Sequence, residues 1–396
     1  YYIPNRFTEG YGINLPALRQ IHEEGCALLV TVDCGIASVE AVAEMRGVLD
    51  IIVTDHHLPG TELPPALAVL NPHRADCPYP EKELAGVGVA FKLCQALWQR
   101  RAQRLYEDDL DIAALGTVAD LVPITGENRK IVRQGLRVMS ENPCVGIRAL
   151  ISVSGLEDKK INAGHVGFQL APRLNAAGRL ETARHGVALL SSEDAVDAAR
   201  IAGELNGLNT ERRGLEQEIL TEAQRSLADF TPDVPAIVVA SEDWNAGVIG
   251  IVASRLVETY YRPSIVLTRQ ENVYKGSCRS IAGLHMYDAL SACRETLIQF
   301  GGHAMAAGLS VLPERLEDFR AAFSAYVREH LHPSDFIPKT RIEALVPPTD
   351  WTIPLVEELA LLEPYGMGNP RPVFGCRDMR PTSADAIGAE GKHLRL

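Results

Sequence analysis

The sequence has no hydrophobic run that approaches the roughly 18–20 residues needed to span a membrane. It has no recognisable signal peptide at its start, no internal repeat and no low-complexity tract. It also has no excess of basic residues: 39 Lys and Arg stand against 51 Asp and Glu, for a net charge of −12. This balance argues against a broad surface for duplex DNA and leaves room only for a local basic groove helped by a bound metal.

Paired cysteines are missing as well. The eight cysteines are scattered, and none of them forms a CxxC pair. This spacing argues against a disulfide framework or a zinc knuckle and predicts reduced thiols, as in a cytoplasmic protein.

The length and the order of the segments predict several domains. A chain of 396 residues is long for a single core. Strand-like segments such as ALLVTVD and DIIVTD alternate with helical ones, which is typical of parallel α/β folds. We expect an α/β lobe over 1–185, a bridging helix over 186–230, a second α/β lobe over 231–332 and a unit that looks all-β over 340–396.

Acidic side chains follow two of the predicted strands. Asp33 ends ALLVTVD, and Asp55 lies between DIIVT and the pair His56 and His57; Asp120 stands at the end of a predicted helix. Taken singly, Asp33 is equally consistent with a helix cap. Asp120 alone is typical of a structural acid at a helix end, and the histidine pair alone is typical of a surface loop.

Taken together, these side chains predict a metal site. Parallel strands bring their carboxyl ends to one edge, where open α/β sheets bind ligands. Carboxylates plus imidazole without cysteine suit Mn²⁺ or Mg²⁺. Two such ions, bridged by a carboxylate, are a common means of attacking a phosphodiester with water. The spacing therefore indicates a metallophosphoesterase.

A family resemblance accompanies this pattern. The segments TVDCGIAS, VTDHHLPG, LAGVGVAFKL, ALGTVADLVP and FGGHAMAAGLS resemble the motifs of the DHH phosphoesterase superfamily. GSCRSIAGLHMYDAL resembles a further motif of this superfamily. APRLNAAGRLETA and WNAGVIGIVASRL narrow the resemblance to the RecJ family of single-strand-specific 5′→3′ exonucleases. It implies a DHH domain, a DHH-associated domain and part of an OB-fold β-barrel that grips single strands.

The resemblance also implies roles for individual residues. In the metal site, Asp33 would bridge two ions, His56 and Asp120 would complete one metal shell, and Asp55 would orient a histidine. His57 would contact the scissile phosphate, and His303 would reach across the groove to phosphate. The residues implied in substrate binding are Arg6, Ser277 and Arg279 for a 5′-phosphate, Arg173, Asn175 and Arg179 for the strand, and Gly301 and Gly302 in FGGH.

Two departures from the family pattern matter. GSCRS carries Cys278 where Gly or Ala is usual, and taken by itself this segment reads as a Gly-led turn before a helix. An earlier strand that ends in paired aspartates of DxDG type should precede YYIPNRF, and the 396 residues do not contain it. We therefore expect this chain to be a piece of a longer protein that by itself binds at most one Mn²⁺ weakly and is essentially inactive.

The resemblance implies an exonuclease of DNA repair and recombination that releases 5′-mononucleotides from single-stranded DNA bearing a 5′-phosphate. Single-strand-binding protein and a helicase are its candidate protein partners. Two alternatives stay open: a DHH phosphodiesterase for short oligonucleotides or bisphosphorylated nucleotides, and a non-catalytic DHH scaffold that binds single strands. The presence of Asp33, His56, His57 and Asp120 disfavours the scaffold.

Overall fold

A three-stranded parallel sheet forms the centre of the first lobe in a computed structural model. The structure describes residues 1–4, 9, 12–180, 182–388, 391 and 393–396. The strands are paired in the order β1 (Leu28–Val30), β2 (Asp50–Thr54) and β3 (Ala68–Leu70). The β-branched run in β2 favours a strand, and its Ile51 and Val53 are buried in the core of this sheet.

Nine helices of the described chain belong to the first lobe and surround or follow this sheet. Asn14 caps the first of them, since its side chain accepts a hydrogen bond from the amide of Ala17 at 2.8 Å. The helices are α1 (Leu15–Glu23), α2 (Val39–Glu44), α3 (Gly86–Ala102), α4 (Leu110–Ala119), α5 (Gly126–Glu141), α6 (Val145–Val153), α7 (Ala163–His165), α8 (Ala171–Leu180) and α9 (Arg184–Leu190). A π-helix, Val166–Leu170, joins α7 to α8.

One long helix, α10 (Ala195–Ser226), connects the two lobes. Its N-terminal half packs Ile201 and Leu205 into the helical core of the first lobe, and its C-terminal half packs Ile219 and Ala223 into the second. The expected bridge is therefore present. The prediction that it begins at 186 was wrong, because α9 ends at Leu190 and the Asp194 carboxylate caps a new helix through the amides of residues 196 and 197.

A five-stranded mixed sheet forms the second lobe, in the order β4-β5-β6-β8-β7. Only β4 and β5 run parallel; the other neighbours are antiparallel. Alternate residues of β5 enter two different cores, with Val266 facing α11 and Ile265 facing the α12 and α13 side. The elements are β4 (Ile237–Ser241), α11 (Ile249–Tyr260), β5 (Ser264–Gln270), β6 (Val273–Arg279), α12 (Met286–Ala292), β7 (Gln299–Gly302), β8 (Ala306–Val311) and α13 (Leu316–His330).

The third unit is small and docks on the first lobe. Its described strands form two separate pairs and no closed barrel: β9 (Ala344–Leu345) with β10 (Phe374–Gly375), and β11 (Asp385–Ile387) with β12 (His393–Arg395). The expectation of an all-β unit was wrong, because Thr352 caps a short helix, α14 (Ile353–Leu359), with proline at its second position.

The loop after α14 holds this unit against the first lobe, just beyond α4. The amide of Ile124 donates to the carbonyl of Met367 at 2.7 Å. Arg129 donates to the carbonyls of Leu361 and Glu363 at 3.2 and 3.1 Å. In the described chain no helix is long and apolar enough to cross a bilayer.

Candidate metal centre and strand-binding groove

The predicted acids lie at the carboxyl edge of the parallel sheet. Asp33 follows β1 by three residues, and its amide still bonds the carbonyl of Thr54 at 3.0 Å, which continues the ladder. Its φ of 62° is the left-handed conformation, which aspartate tolerates better than most residues. Asp55 directly follows β2, and its amide bonds the carbonyl of Leu70 at 3.0 Å. Asp120 caps the C-terminus of α4.

Three of these side chains converge on one point. The Nε2 atom of His56 lies 3.2 Å from an Asp33 carboxylate oxygen and 3.3 Å from an Asp120 carboxylate oxygen. This nitrogen is buried, and by hydrogen-bond geometry it has no partner in the described part of the chain. Asp33, His56 and His57 each offer a ligand atom within 4.8 Å of the others. Side chains that point at a shared position in this way fit a divalent cation.

The electrostatics of the cluster agree with a cation site. Burial raises the pKa of the Asp120 carboxyl, and although the charge of His56 lowers it, the Asp33 charge raises it further, so the pKa lies above its ordinary value. Burial alone would lower the pKa of His56, but Asp33 and Asp120 raise it. Burial also raises the pKa of the neighbouring Cys34 thiol to about 11, so this group stays protonated and the donor set remains oxygen and imidazole.

Asp55 holds the histidine pair in place through hydrogen bonds. It is 1% exposed and accepts hydrogen bonds from the amides of Ile36, His56 and His57 at 2.9, 2.7 and 3.1 Å. It also accepts from Nδ1 of His57 at 2.7 Å, which orients that ring. Burial would raise the pKa of the Asp55 carboxyl, but these hydrogen bonds outweigh burial and hold the pKa below its ordinary value.

Sequence reasoning missed two residues that hold the backbone of the histidine pair. Asn71 is 3% exposed and donates from Nδ2 to the carbonyl of His57 at 2.8 Å. His73 donates from Nδ1 to the carbonyl of His56 at 2.5 Å, and its own amide donates to Asn71 Oδ1 at 2.8 Å. Both lie in NPHR directly after β3, so the signal was a third polar strand ending at the same edge.

Gly86 was missed for a different reason. A Cβ atom at this position would lie 2.2 Å from Asp33 Oδ1, so the first residue of α3 must be glycine for the Asp33 carboxylate to occupy its place. The LAGVG segment gave the signal, but only the packing shows which of its glycines contacts the acid.

A cleft of about 960 Å³ lies beside Asp33. Asn175 and Arg179 of α8 line it, and Arg179 also donates to the carbonyl of Gly247 in the second lobe at 3.1 Å. Arg173 is held elsewhere: it bonds the carbonyl of Gln169 at 2.7 Å and the side chain of Asn206 on α10 at 3.0 Å. The structure thus places at the Asp33 cleft two of the three α8 residues that were predicted to bind single-stranded DNA.

The predicted end-binding residues of the second lobe lie on β6, which corrects the interpretation of GSCRS as a turn. Ser277 and Arg279 share one face of the strand, with Arg279 Nη1 3.3 Å from Ser277 Oγ. Cys278 points the other way, into the core, where burial raises its pKa to about 12 and the small thiol is accommodated.

Ser277 and Arg279 meet the N-terminus of α11. A Cβ atom on Gly250 would lie 2.9 Å from Ser277 Oγ and 3.3 Å from Arg279 Nη2, so only glycine permits this approach. Burial lowers the pKa of the Arg279 guanidinium, which stays charged because arginine titrates far above neutral pH. A guanidinium, a hydroxyl and a helix N-terminus together make an anion-binding arrangement.

The remaining predicted residues lie around the β7–β8 turn or outside the description. Gly301 and Gly302 end β7, and the amide of His303 closes the turn onto the carbonyl of Ala306 at 2.8 Å. His303 is exposed, and the described contacts do not join it to Asp33, His56 or Asp120. Arg6 lies outside the described residues.

Comparison with known proteins shows which class of proteins the chain resembles. Three family models match successive parts of the chain: the DHH family, N-terminal domain, over residues 1–117, the DHHA1 domain over 233–329 and the RecJ OB domain over 342–396. The first lobe, with its candidate metal site, and the mixed sheet of the second lobe therefore correspond to a DHH domain followed by a DHHA1 domain.

Individual relatives narrow the class to one family. The single-stranded-DNA-specific exonuclease RecJ of Bacillus subtilis is 44% identical over all of this chain and 50% of its own length. The enzyme of that name from Escherichia coli is 40% identical over 94% of this chain and 69% of its own length. This chain belongs to the RecJ family. It spans about half the length of the Bacillus subtilis relative.

Solved structures agree with this assignment. RecJ from Thermus thermophilus in complex with Mn²⁺ matches with a TM-score of 0.86 and 36% identity, over 96% of this chain and 56% of that one. An exonuclease RecJ bound to manganese matches with a TM-score of 0.71 and 36% identity, over 84% of this chain and 83% of that one.

Proposed function

We propose that this protein is a metal-dependent exonuclease that degrades single-stranded DNA from the 5′ end and releases 5′-mononucleotides. The observation that carries the proposal is the position of His56 Nε2 at the sheet edge, 3.2 Å from an Asp33 carboxylate oxygen and 3.3 Å from an Asp120 carboxylate oxygen. The family relatives named as single-stranded-DNA-specific exonucleases support the substrate and the reaction.

Asp33, His56 and Asp120 would hold Mn²⁺ or Mg²⁺, since their oxygen and imidazole donors suit these cations. When bound, the cation supplies electrostatic stabilisation of the charge that develops on the phosphodiester oxygens. The Thermus relative carries Mn²⁺ in its crystal structure, which supports the choice of metal.

The protein groups around this site position the strand and its phosphates. Asp55 orients His57 through its Nδ1 atom, and the other ring nitrogen would contact the scissile phosphate. Asn175 and Arg179 would hold the strand in the Asp33 cleft. Arg173 would contact the strand from the α10 side, and His303 would approach a phosphate from the second lobe.

Ser277 and Arg279 would bind the terminal 5′-phosphate, joined by Arg6. Their location at the N-terminus of α11 supports this role, because the dipole of a helix start favours an anion. Anchoring the 5′ end in the second lobe while hydrolysis occurs at the first would set the direction of degradation.

The direction and strand preference can be tested on the intact protein. A 3′-labelled, 5′-phosphorylated single strand incubated with Mn²⁺ should shorten one nucleotide at a time from its 5′ end, whereas blunt duplex should stay intact. Equal degradation of the duplex, or mononucleotides released first from the 3′ end, would refute the proposal.

End recognition has its own test. Arg279→Gln should lower kcat/KM on 5′-phosphorylated ends by about tenfold to a hundredfold and leave 5′-hydroxyl ends nearly unchanged, since one charge-assisted hydrogen-bonding group is lost. Arg320→Gln is the matched control, because Arg320 lies on α13 of the same lobe and pairs with Glu317. An undiminished phosphate preference would remove Arg279 from the pocket.

We also propose a cytoplasmic role in DNA repair and recombination, with a helicase and single-strand-binding protein as partners. All eight cysteines carry free thiols, which agrees with a reducing compartment. An enzyme restricted to single strands needs an activity that opens duplexes. Adding a helicase and ATP to a blunt duplex should therefore make it a substrate, and failure of this coupled reaction would contradict the partnership.

A further inference from the structure

The π-helix Val166–Leu170 presents one aromatic side chain to solvent. Its last turn is closed by the amide of Ala171, which bonds the carbonyl of Val166 five residues back. Phe168 is 87% exposed, whereas Phe319 and Phe323 are fully buried. Within the described part of the chain no aromatic ring stacks on Phe168. Single π-turns are rare and occur frequently at functional sites.

Phe168 lies close to the metal cluster along the fold. Its neighbour Gly167 packs beside the last turn of α4, since a Cβ atom on Gly167 would lie 3.8 Å from Val118 Cγ1. Val118 precedes Asp120 by two residues. The exposed ring is therefore carried by a segment that packs against the same helix end as one of the candidate metal ligands.

A positive charge lies against the segment that carries the ring. The Arg173 guanidinium bonds the carbonyl of Gln169, the residue after Phe168, at 2.7 Å. It also bonds Asn206 of α10 at 3.0 Å, which places it between the π-helix and the long helix. Burial lowers the pKa of Arg173, and the nearby positive charge of Arg213 lowers it further.

Arg213 adds a second, uncompensated charge on the same face of α10. Asn206, Asn209 and Arg213 follow each other at helical spacing, so they share one face of that helix. In the described chain no carboxylate lies within ion-pair distance of Arg213; the adjacent Glu216 is occupied by Arg212 and Arg255, each at 3.1 Å. The charge of Arg213 disfavours the charge of Arg173, and a bound anion would relieve this repulsion.

We infer that Phe168, Arg173 and Arg213 form a binding subsite for one nucleotide of a single-stranded nucleic acid, with its base stacked on the Phe168 ring and a backbone phosphate at the guanidiniums. This inference rests on the proposed function and adds a residue set to it. Aromatic platforms beside basic side chains are how single strands are bound without sequence preference, because every base has a stacking face. Arginine also matches phosphate through two parallel hydrogen bonds.

The stacking half is tested with abasic oligonucleotides and the intact protein without divalent metal, so that no strand is degraded. Affinity is measured by fluorescence anisotropy for 5′-phosphorylated oligothymidine carrying one abasic site at successive positions. In the unsubstituted protein one position should weaken binding by about fivefold to a hundredfold. Phe168→Ala should weaken binding of the complete strand by the same factor as the abasic site does, and an abasic site at that position should then cause no further loss. Phe168→Trp should restore both the affinity for the complete strand and the sensitivity to the abasic site. Val196→Ala removes another exposed apolar helical side chain and should change nothing.

The phosphate contact is tested by measuring how affinity for the single strand depends on salt concentration. Arg213→Gln should reduce the slope of log affinity against log salt concentration by about 0.7, the value for one phosphate contact on a single strand. Arg213→Lys should retain most of the slope. Arg200→Gln is the control on the same helix, because Arg200 already pairs with Asp197 and Glu204.

The outcomes separate the subsite from the proposed function. If the unsubstituted protein binds and degrades single strands but Phe168→Ala leaves the abasic profile unchanged, the subsite is refuted and the function stands. An unchanged salt slope in Arg213→Gln would likewise remove the phosphate contact. If the unsubstituted protein neither binds nor degrades single strands, the proposed function fails and the subsite fails with it.

Discussion

The two lobes position their candidate functional side chains on different parts of a β-sheet. In the first lobe, parallel strands place Asp33 and His56 at one edge, where an Asp120 carboxylate oxygen lies 3.3 Å from His56 Nε2. In the second lobe, Ser277 and Arg279 lie along the face of a strand in a mixed sheet and meet the start of α11. A parallel edge concentrates acids for a cation, whereas a strand face against a helix start concentrates donors for an anion.

In each site the charge of the side chains is opposite to that of the ligand expected there. The first-lobe site is built from carboxylates and a histidine whose pKa they raise. The second-lobe site is built from a half-buried guanidinium that stays charged. We therefore expect substitutions in the first lobe to act on metal and turnover, and substitutions in the second to act on the end of the strand.

The largest effect should come from His56→Ala, which removes the nitrogen that faces both carboxylates. Residues that only support metal ligands are worth about tenfold to a hundredfold, so loss of this group should lower Mn²⁺ affinity by more than about a hundredfold. Calorimetric titration with Mn²⁺ measures this. His330→Ala, which removes an exposed histidine stacked on Tyr326, should have no effect. Equal affinities in the two variants would contradict the assignment.

Gly86→Ala should have the next largest effect, because the added Cβ would lie 2.2 Å from Asp33 Oδ1 and the carboxylate must move. A loss of about tenfold to a hundredfold in Mn²⁺ affinity and turnover is expected. Gly203→Ala on α10 meets open space and should instead stabilise the fold by about 0.5–1 kcal/mol. Gly86→Ala behaving like this control would show that Asp33 is not constrained by α3.

Asn71→Asp removes one hydrogen bond and places a carboxylate oxygen against the carbonyl oxygen of His57. The carboxylate keeps the acceptor for the amide of His73 but loses the donor to the carbonyl of His57. We expect about a tenfold fall in kcat with a smaller change in KM, because the loss acts through the orientation of the histidine pair. A change in KM alone, or full activity, would deny Asn71 this positioning role.

Glu216→Gln should give the smallest functional effect while destabilising the bridge between the lobes. Glu216 is 9% exposed and holds Arg212 and Arg255, each at 3.1 Å. A loss of about 1–3 kcal/mol in the free energy of unfolding is expected from urea titration, with Mn²⁺ affinity unchanged. Glu204→Gln, which breaks an exposed pair with Arg200, should cost less than about 1 kcal/mol. The reverse order of these two losses would contradict the burial argument.

The sequence predicted the first lobe better than the second, and the reason is geometric. Side chains that follow neighbouring parallel strands lie at the same sheet edge, so the closeness of Asp33 and His56 follows from their positions in the sequence. Asp120 ends α4, and its approach to His56 depends on how that helix packs against the sheet. The approach of Gly250 to Ser277 and Arg279 depends on how α11 packs on β6, which no local pattern encodes. GSCRS looked like a turn because glycine and serine favour turns, whereas pairing on both sides makes it a central strand.

Within the first lobe, the missed residues are those whose role depends on packing. Asn71 and His73 look like an ordinary turn after a strand until their hydrogen bonds to the histidine backbone are seen. The orientation of Arg173 toward Asn206 likewise depends on how α8 packs against α10. The bridge began later than expected because a cap at Asp194 interrupts a segment without proline.

The division of labour between the lobes is tested most directly by comparing Asp33→Asn with Arg279→Gln in the intact protein. Both variants are measured for turnover with Mn²⁺, for single-strand affinity without metal, and for preference of 5′-phosphate over 5′-hydroxyl ends. Asp33→Asn should lose more than about a hundredfold in turnover and keep its end preference within about twofold. Arg279→Gln should keep its Mn²⁺ affinity and lose the preference. If either variant loses both properties together, the two sites do not act separately and the account is wrong.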